Sequence, residues 1–175
     1  RGLAALAGAG LAAAVAVAVT LGTRPPAGGW TLADEVVADH LRVAVRAQPV
    51  EIESGGIHQV KPWFTGRLDF APRIAFSGDA DFPLVGGSVG YVRDRKAAVF
   101  SFRRRLHLIT LLIFPAEGLI WPGGTPARLG PLDVTEVERR GFSALLWRQG
   151  DLGYALVSDV NRADLEALAQ RIDPR

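Results

Sequence analysis

The side chains able to do chemistry are scattered along this chain of 175 residues. It holds three histidines, His40, His58 and His107, and no cysteine. The lack of cysteine removes disulfides, thiolate metal sites and a cysteine nucleophile together. No two histidines stand at the short spacing of a ligand pair. His40 follows Val36 and Val37 on the apolar face of a helical pattern, and His107 alternates with Ile109, Leu111 and Ile113. Both read as partly buried structural histidines with ring nitrogens bonded to backbone. Ser54 precedes a Gly-Gly pair and Ser88 follows one, which suits turns better than a strained nucleophile turn. "GGSVG" at 86–90 is too short for a phosphate-binding loop, and no two carboxylates are placed for acid–base work. The expectation is a protein that is not an enzyme and carries no metal or cofactor.

A formal net charge of +2 gives nucleic-acid binding no electrostatic support. One basic run stands out, Arg103, Arg104 and Arg105, between two strand-like segments. The plain reading is a solvated hairpin tip or strand edge that discourages sheet-to-sheet association. The sharper one is contact with anionic lipid headgroups.

Residues 2–23 are uncharged and almost wholly apolar or small. As a helix they would reach roughly 33 Å, enough for a bilayer core. A transmembrane helix over 1–23 is the simpler reading, and a cleaved signal the alternative, since small-residue cleavage sites recur in the segment. "RPPAGG" at 24–29 then forms a short linker that holds a folded domain, 30–175, against the membrane. The chain has no methionine and begins at Arg1, so a fragment or processed form is expected.

The elements that must position any site follow a clear order. Thr31 with Asp34 predicts a capping box, and a helix of roughly four turns runs from it towards Pro49. Leu32, Val36, Val37, Leu41, Ala44 and Val45 form its apolar stripe, with Glu35, Asp39, Arg42 and Arg46 opposite. Strand patterns follow at 50–53, at 67–76 with a break at Pro72, at 88–93 and 97–102 as a hairpin about "DRK", and at 106–114. "FSALLWR" and "YALVS" flank a second hairpin turn in which Gly150 and Gly153 offer positive φ. The Pro- and Gly-rich stretch 115–141 reads as a long loop or an elaborated edge. Asn161 caps a closing helix that buries Leu165, Leu168 and Ile172. The predicted fold is α+β: six or seven mostly antiparallel strands packed with an N-terminal and a C-terminal helix.

"HQVKPWFTGRLDF" at 58–70 is the least generic segment. Pro62 biases Lys61 towards extended backbone and fixes the direction in which Trp63 and Phe64 emerge. Either these aromatics plug one end of the sheet, or they form an exposed patch for a partner. Lys61, Pro62, Trp63 and Phe64, with Phe82, Pro83 and Leu84 of "FPLVGG", are the candidate partner-binding residues.

Those two segments, "YVRDRKAAVFSFRRRLHLITLLIFP" and "GFSALLWRQGDLGYALVSDVNRADLEALAQ", together resemble the extracytoplasmic part of bacterial transmembrane anti-sigma factors. The resemblance runs from the span nearly to the C-terminus. It implies an N-in, C-out anchor in the inner membrane and a sensory domain facing the periplasm. It also implies a cytoplasmic zinc-binding half that restrains a sigma factor. That half is not in this sequence, so a sigma factor is expected as partner only if a domain precedes Arg1. The remaining partners expected are the membrane and a protein within it or outside it. The alternative function is an accessory structural subunit of a larger membrane complex.

Overall fold

The computed structural model describes residues 30–172. The expected span at 1–23 and linker at 24–29 lie outside them, as do residues 173–175. Among the described residues no helix is long and apolar enough to cross a membrane.

Helix α1, Leu32–Ala44, starts as its sequence predicts. The Thr31 amide donates to Asp34 Oδ2 at 2.9 Å, and the Asp34 amide donates to Thr31 Oγ1 at 3.3 Å. The helix ends a turn before Pro49, so Ala44 and Val45 are exposed, not buried as predicted. The stripe is completed instead by Val43 and His40. Asp39, predicted on the polar face, is buried. It fits because Gly90 beneath it has no side chain; a Cβ there would lie 2.8 Å from Asp39 Oδ2.

After α1 come β1, Ile52–Glu53, and a helix the sequence did not announce, α2, Ile57–Trp63. Lys61 is therefore helical, not extended as its position before Pro62 predicted. The preference is overridden because Pro62 is the penultimate residue of a seven-residue helix, so its missing N–H costs one bond. The last turn closes through i→i−3 bonds, Phe64 N–H to the Lys61 carbonyl and Thr65 N–H to that of Pro62.

The sheet proper is β2, Leu84–Val92; β3, Arg95–Arg104; β4, His107–Pro115; β5, Thr125–Leu129; β6, Leu132–Arg139; β7, Phe142–Gln149; and β8, Leu152–Ser158. Helix α3, Arg162–Ile172, follows. All eight strands form one antiparallel sheet in the order β1-β2-β3-β4-β8-β7-β6-β5. It is two four-stranded meanders joined where β4 pairs with β8.

The stretch 115–141, expected as a loop or edge, holds the β5–β6 hairpin, turned at Gly130 with φ 61°. Its Pro126 is tolerated because β5 is an edge strand. Among the described residues the run 67–76, expected as a strand, makes only the isolated Thr65–Leu68 bridge and joins no strand of the sheet. Of the two glycines offered for the last turn, Gly150 has φ 62°, while Gly153 lies within β8 against the Phe114 ring.

Both faces of the sheet are covered. On one, α1 packs on Val99, Leu112, Phe114, Leu146 and Val157. On the other, Ile57, Val60 and Phe64 of the α2 region, with Leu165, Leu168 and Ile172 of α3, pack on Phe100, Phe102, Leu111, Trp147 and Leu156. This double burial explains why "LHLITLLIF" and "YALVS" are nearly continuous apolar runs without strict alternation.

Gly86 marks where β1 joins. It has φ 156°, and a Cβ there would stand 2.0 Å from the Ile52 carbonyl oxygen. Gly86→Ala is expected to cost about 1–2 kcal/mol, moderated because a two-residue edge strand can peel away. Urea denaturation measures it, and an unchanged midpoint would refute the steric argument.

Candidate functional site

On the α2–α3 side of the sheet the chain leaves α2 and crosses the face of the core before entering β2. Under this crossing lies an open groove of about 970 Å³, lined among others by Lys61, Phe64, Leu68, Pro72, Arg73 and Gln149. Residues 71–79 run through without helix, strand, turn or bend. Ile74 and Phe76 anchor them to the core, the Phe76 ring 5.7 Å from that of Phe102. Two further ties hold the backbone. Lys61 Nζ donates to the Ile74 carbonyl at 3.3 Å, and the Tyr154 hydroxyl donates to that of Arg73 at 2.9 Å.

The structure divides the aromatic pair of the 58–70 motif. Phe64 is a plug: it is buried and lies 5.2 Å from the Phe100 ring. Trp63 is half-buried, edge-on to Phe64, with the Arg67 guanidinium 4.4 Å from its ring centroid. Lys61 and Phe64 line the groove, and Pro62 is exposed on α2. Trp63→Ala is expected to cost about 1 kcal/mol or less, since it removes one ring edge and one cation–π contact. A thermal melt checks this; a fall beyond about 8 °C would mean that Trp63 also supports the core.

Of "FPLVGG", Phe82 and Leu84 are core residues, and Pro83 is exposed. Two guanidiniums lie close to the Phe82 ring, Arg104 at 5.0 Å and Arg171 at 4.9 Å from its centroid. Lys61 and Phe64 thus share the groove, while none of Phe82, Pro83 and Leu84 lines it.

The three consecutive arginines point to three environments. Arg103 lines a smaller polar cavity of about 440 Å³ with Glu51 and Glu53. Arg104 is a structural clamp: Nη1 is 2.7 Å from Asp81 Oδ1 and Nε 3.0 Å from Asp164 Oδ1. Its hydrogen bond holds the Asp81 carboxyl below the usual carboxylate range. Only Arg105, with φ 55°, sits in the tight turn between β3 and β4.

The histidines are likewise separate. His40 is buried, with Nδ1 2.9 Å from Thr110 Oγ1 and its ring edge-on to Phe142. Its partner is a side-chain hydroxyl, where backbone was expected. Burial lowers its pKa to about 4. The neighbouring Asp39 is pushed up by burial, against the opposing effect of Arg42 at 2.6 Å. His107 is exposed, not part of the apolar face of its strand, and pairs with Asp159 at 3.0 Å. Among the described residues no group of His, Asp or Glu could hold a metal ion.

Arg73 and Gln149, which line the groove, were not marked by sequence reasoning. Alternating apolar residues at Pro72, Ile74 and Phe76 were the available signal for Arg73. Nothing local identifies Gln149, which reaches the groove only through the β7–β8 hairpin.

No protein-family model matches the chain, and no curated protein matches it. One distant structural neighbour is MucB, solved in complex with MucA(peri), with a TM-score of 0.38 and 19% identity. The likeness covers 59% of this chain and 36% of that one. A likeness so distant says nothing of what this chain binds.

Proposed function

We propose that this chain is the sensory, partner-binding domain of a single-span regulator of the transmembrane anti-sigma kind, facing the periplasm and without enzymatic activity. The observation that carries this reading is convergence. Segments that bear the resemblance are far apart in sequence, yet two of them, 58–70 and 141–170, supply walls of one groove through Lys61, Phe64 and Gln149. A third, 82–87, packs behind it, with Gly87 against Val60 and Phe64. A partner engaging this groove would shift the domain's conformation or its exposure to proteolysis, and the short linker would pass that change to the span. Such coupling requires that the partner bind one state better than the other.

Two measurements test it in the native cell. An alkaline phosphatase fused after Arg175 should be active, as expected for an outward-facing domain. Removing residues 30–175 should alter transcription dependent on an extracytoplasmic-function sigma factor several-fold. An unchanged regulon, with the chain co-purifying at fixed stoichiometry in a membrane assembly, would overturn the regulatory reading in favour of an accessory subunit.

A further inference from the structure

The segment that roofs the groove has the form of a strand without a neighbour. Between Ala71 and Ala75 burial alternates strictly: Ala71, Arg73 and Ala75 are exposed, and Pro72 and Ile74 are buried. That is the period of an extended chain with one face on a core. Yet among the described residues no backbone–backbone hydrogen bond involves residues 69–78. The segment lies across the face of the sheet, so among the described residues no strand runs beside it. Its two carbonyl bonds, from Lys61 and Tyr154, fix it in place and leave the amides of residues 73–76 without a protein acceptor among the described residues. Unpaired main-chain groups in an extended, pinned segment form a template for another strand.

The charges beside it are unequal. At the α2 end Asp69 also lines the groove but faces Lys96 at 3.9 Å, and neither Lys61 nor Arg67 has a carboxylate partner among the described residues. At the other end Arg73 is neutralised by Asp151 at 3.1 Å. A groove of this size, with apolar walls at Phe64 and Leu68, matches an extended peptide in both shape and polarity.

We infer that residues 71–76 are a strand-addition site: a protein partner lays an extended peptide along them, pairing main chain to main chain. The peptide places an acidic side chain at the Lys61–Arg67 end and alternate apolar side chains into the groove. This inference rests on the partner-binding reading above and names the chemistry of the partner's segment.

The test uses the full chain in detergent and a phage-displayed library of random linear 12-residue peptides as the probe. In the chain alone, amides 73–76 should exchange with deuterium fast. Selected peptides should slow alternate amides of that set, those facing one edge, carry an acidic residue, and lose affinity on backbone N-methylation at every second position. The double variant Lys61→Gln, Arg67→Gln should weaken them about tenfold while lowering the melting temperature by no more than about 5 °C, the share of the Lys61–Ile74 carbonyl bond and the Arg67–Trp63 contact. Amides 73–76 that exchange slowly without peptide would overturn the proposal. So would a selection with no peptide that protects them, or binding indifferent to N-methylation. Any of these results combined with an altered sigma regulon would remove strand addition and leave the regulatory reading standing.

Discussion

Phe64→Ala is expected to destabilise the domain by about 3–5 kcal/mol, the usual cost of emptying a buried aromatic site. The ring is 2% exposed, lies 5.2 Å from both Phe100 and Trp63, and abuts Gly87, where an added Cβ would stand 3.2 Å from its Cζ. Glycine at 87 leaves a slot that this ring shares with Val60 Cγ1. Collapse into the space is resisted because Phe100 is locked in an interior strand, paired on both sides. The residue also anchors local backbone, as its carbonyl accepts the amides of Arg67 and Leu68. Access of water from the adjoining groove pulls the cost towards the low end of the range. For a domain of this size the melting temperature should fall by roughly 10–15 °C. Amide exchange in α2 should accelerate more than in β7 or β8, since α2 would lose its main contact with the sheet. A melting temperature within about 3 °C of the parent would show that Phe64 is not the plug. The contrast with Trp63→Ala separates the two halves of the motif: one aromatic holds the fold, and its neighbour is left largely to the surface.

The second large effect is on pH dependence and comes from His40. Its folded pKa is about 4 against an ordinary value of 6.5, because burial beneath α1 disfavours the imidazolium. Between those two values the unfolded chain binds the proton and the folded chain does not. Stability is therefore fully present above pH 6.5 and declines as pH falls through the window to about 4. The whole loss is about 3 kcal/mol. Adjacent Asp39 acts with the opposite sign. Burial raises its folded pKa, so it takes up a proton in the folded state first and gains stability as pH falls through its own window. Asp34 and Asp81 have lowered pKa values, and their contributions are lost only below the ordinary carboxylate value of 3.8. The His40 step should thus stand apart from acid denaturation proper. Urea midpoints between pH 7 and pH 4 measure it. His40→Gln keeps a group able to bond Thr110 and should flatten the slope between pH 6.5 and 4. An equally steep slope in that variant would refute the assignment.

The features that local sequence determined are those with local physics. Thr31 with Asp34 caps α1 because both partners lie within one turn, and Asn161 caps α3 through Asp164 in the same way, at 2.9 Å. The β2–β3 and β7–β8 hairpins, the apolar strands β4 and β8, and the α+β class were legible for the same reason, although the first hairpin turns at Arg93 and Asp94 and not across 94–96. What tertiary structure alone decided required a partner from afar. Lys61 is helical because Phe64 must reach Phe100, and that packing outweighs the dipeptide preference imposed by Pro62. Asp39 is buried because a glycine fifty-one residues later leaves room for it. Arg103, Arg104 and Arg105 look alike in sequence, yet they face a cavity, a pair of aspartates and a turn, since alternation along a strand sends neighbours to opposite faces. The groove belongs to neither of its halves: α2 and the β7–β8 hairpin meet only after the sheet has closed between them. A run such as 71–76 can state that it will be extended, through its period of two. Whether it finds a strand beside it depends on where the rest of the chain leaves it, and here it is laid across a covered face with its edge unpaired among the described residues.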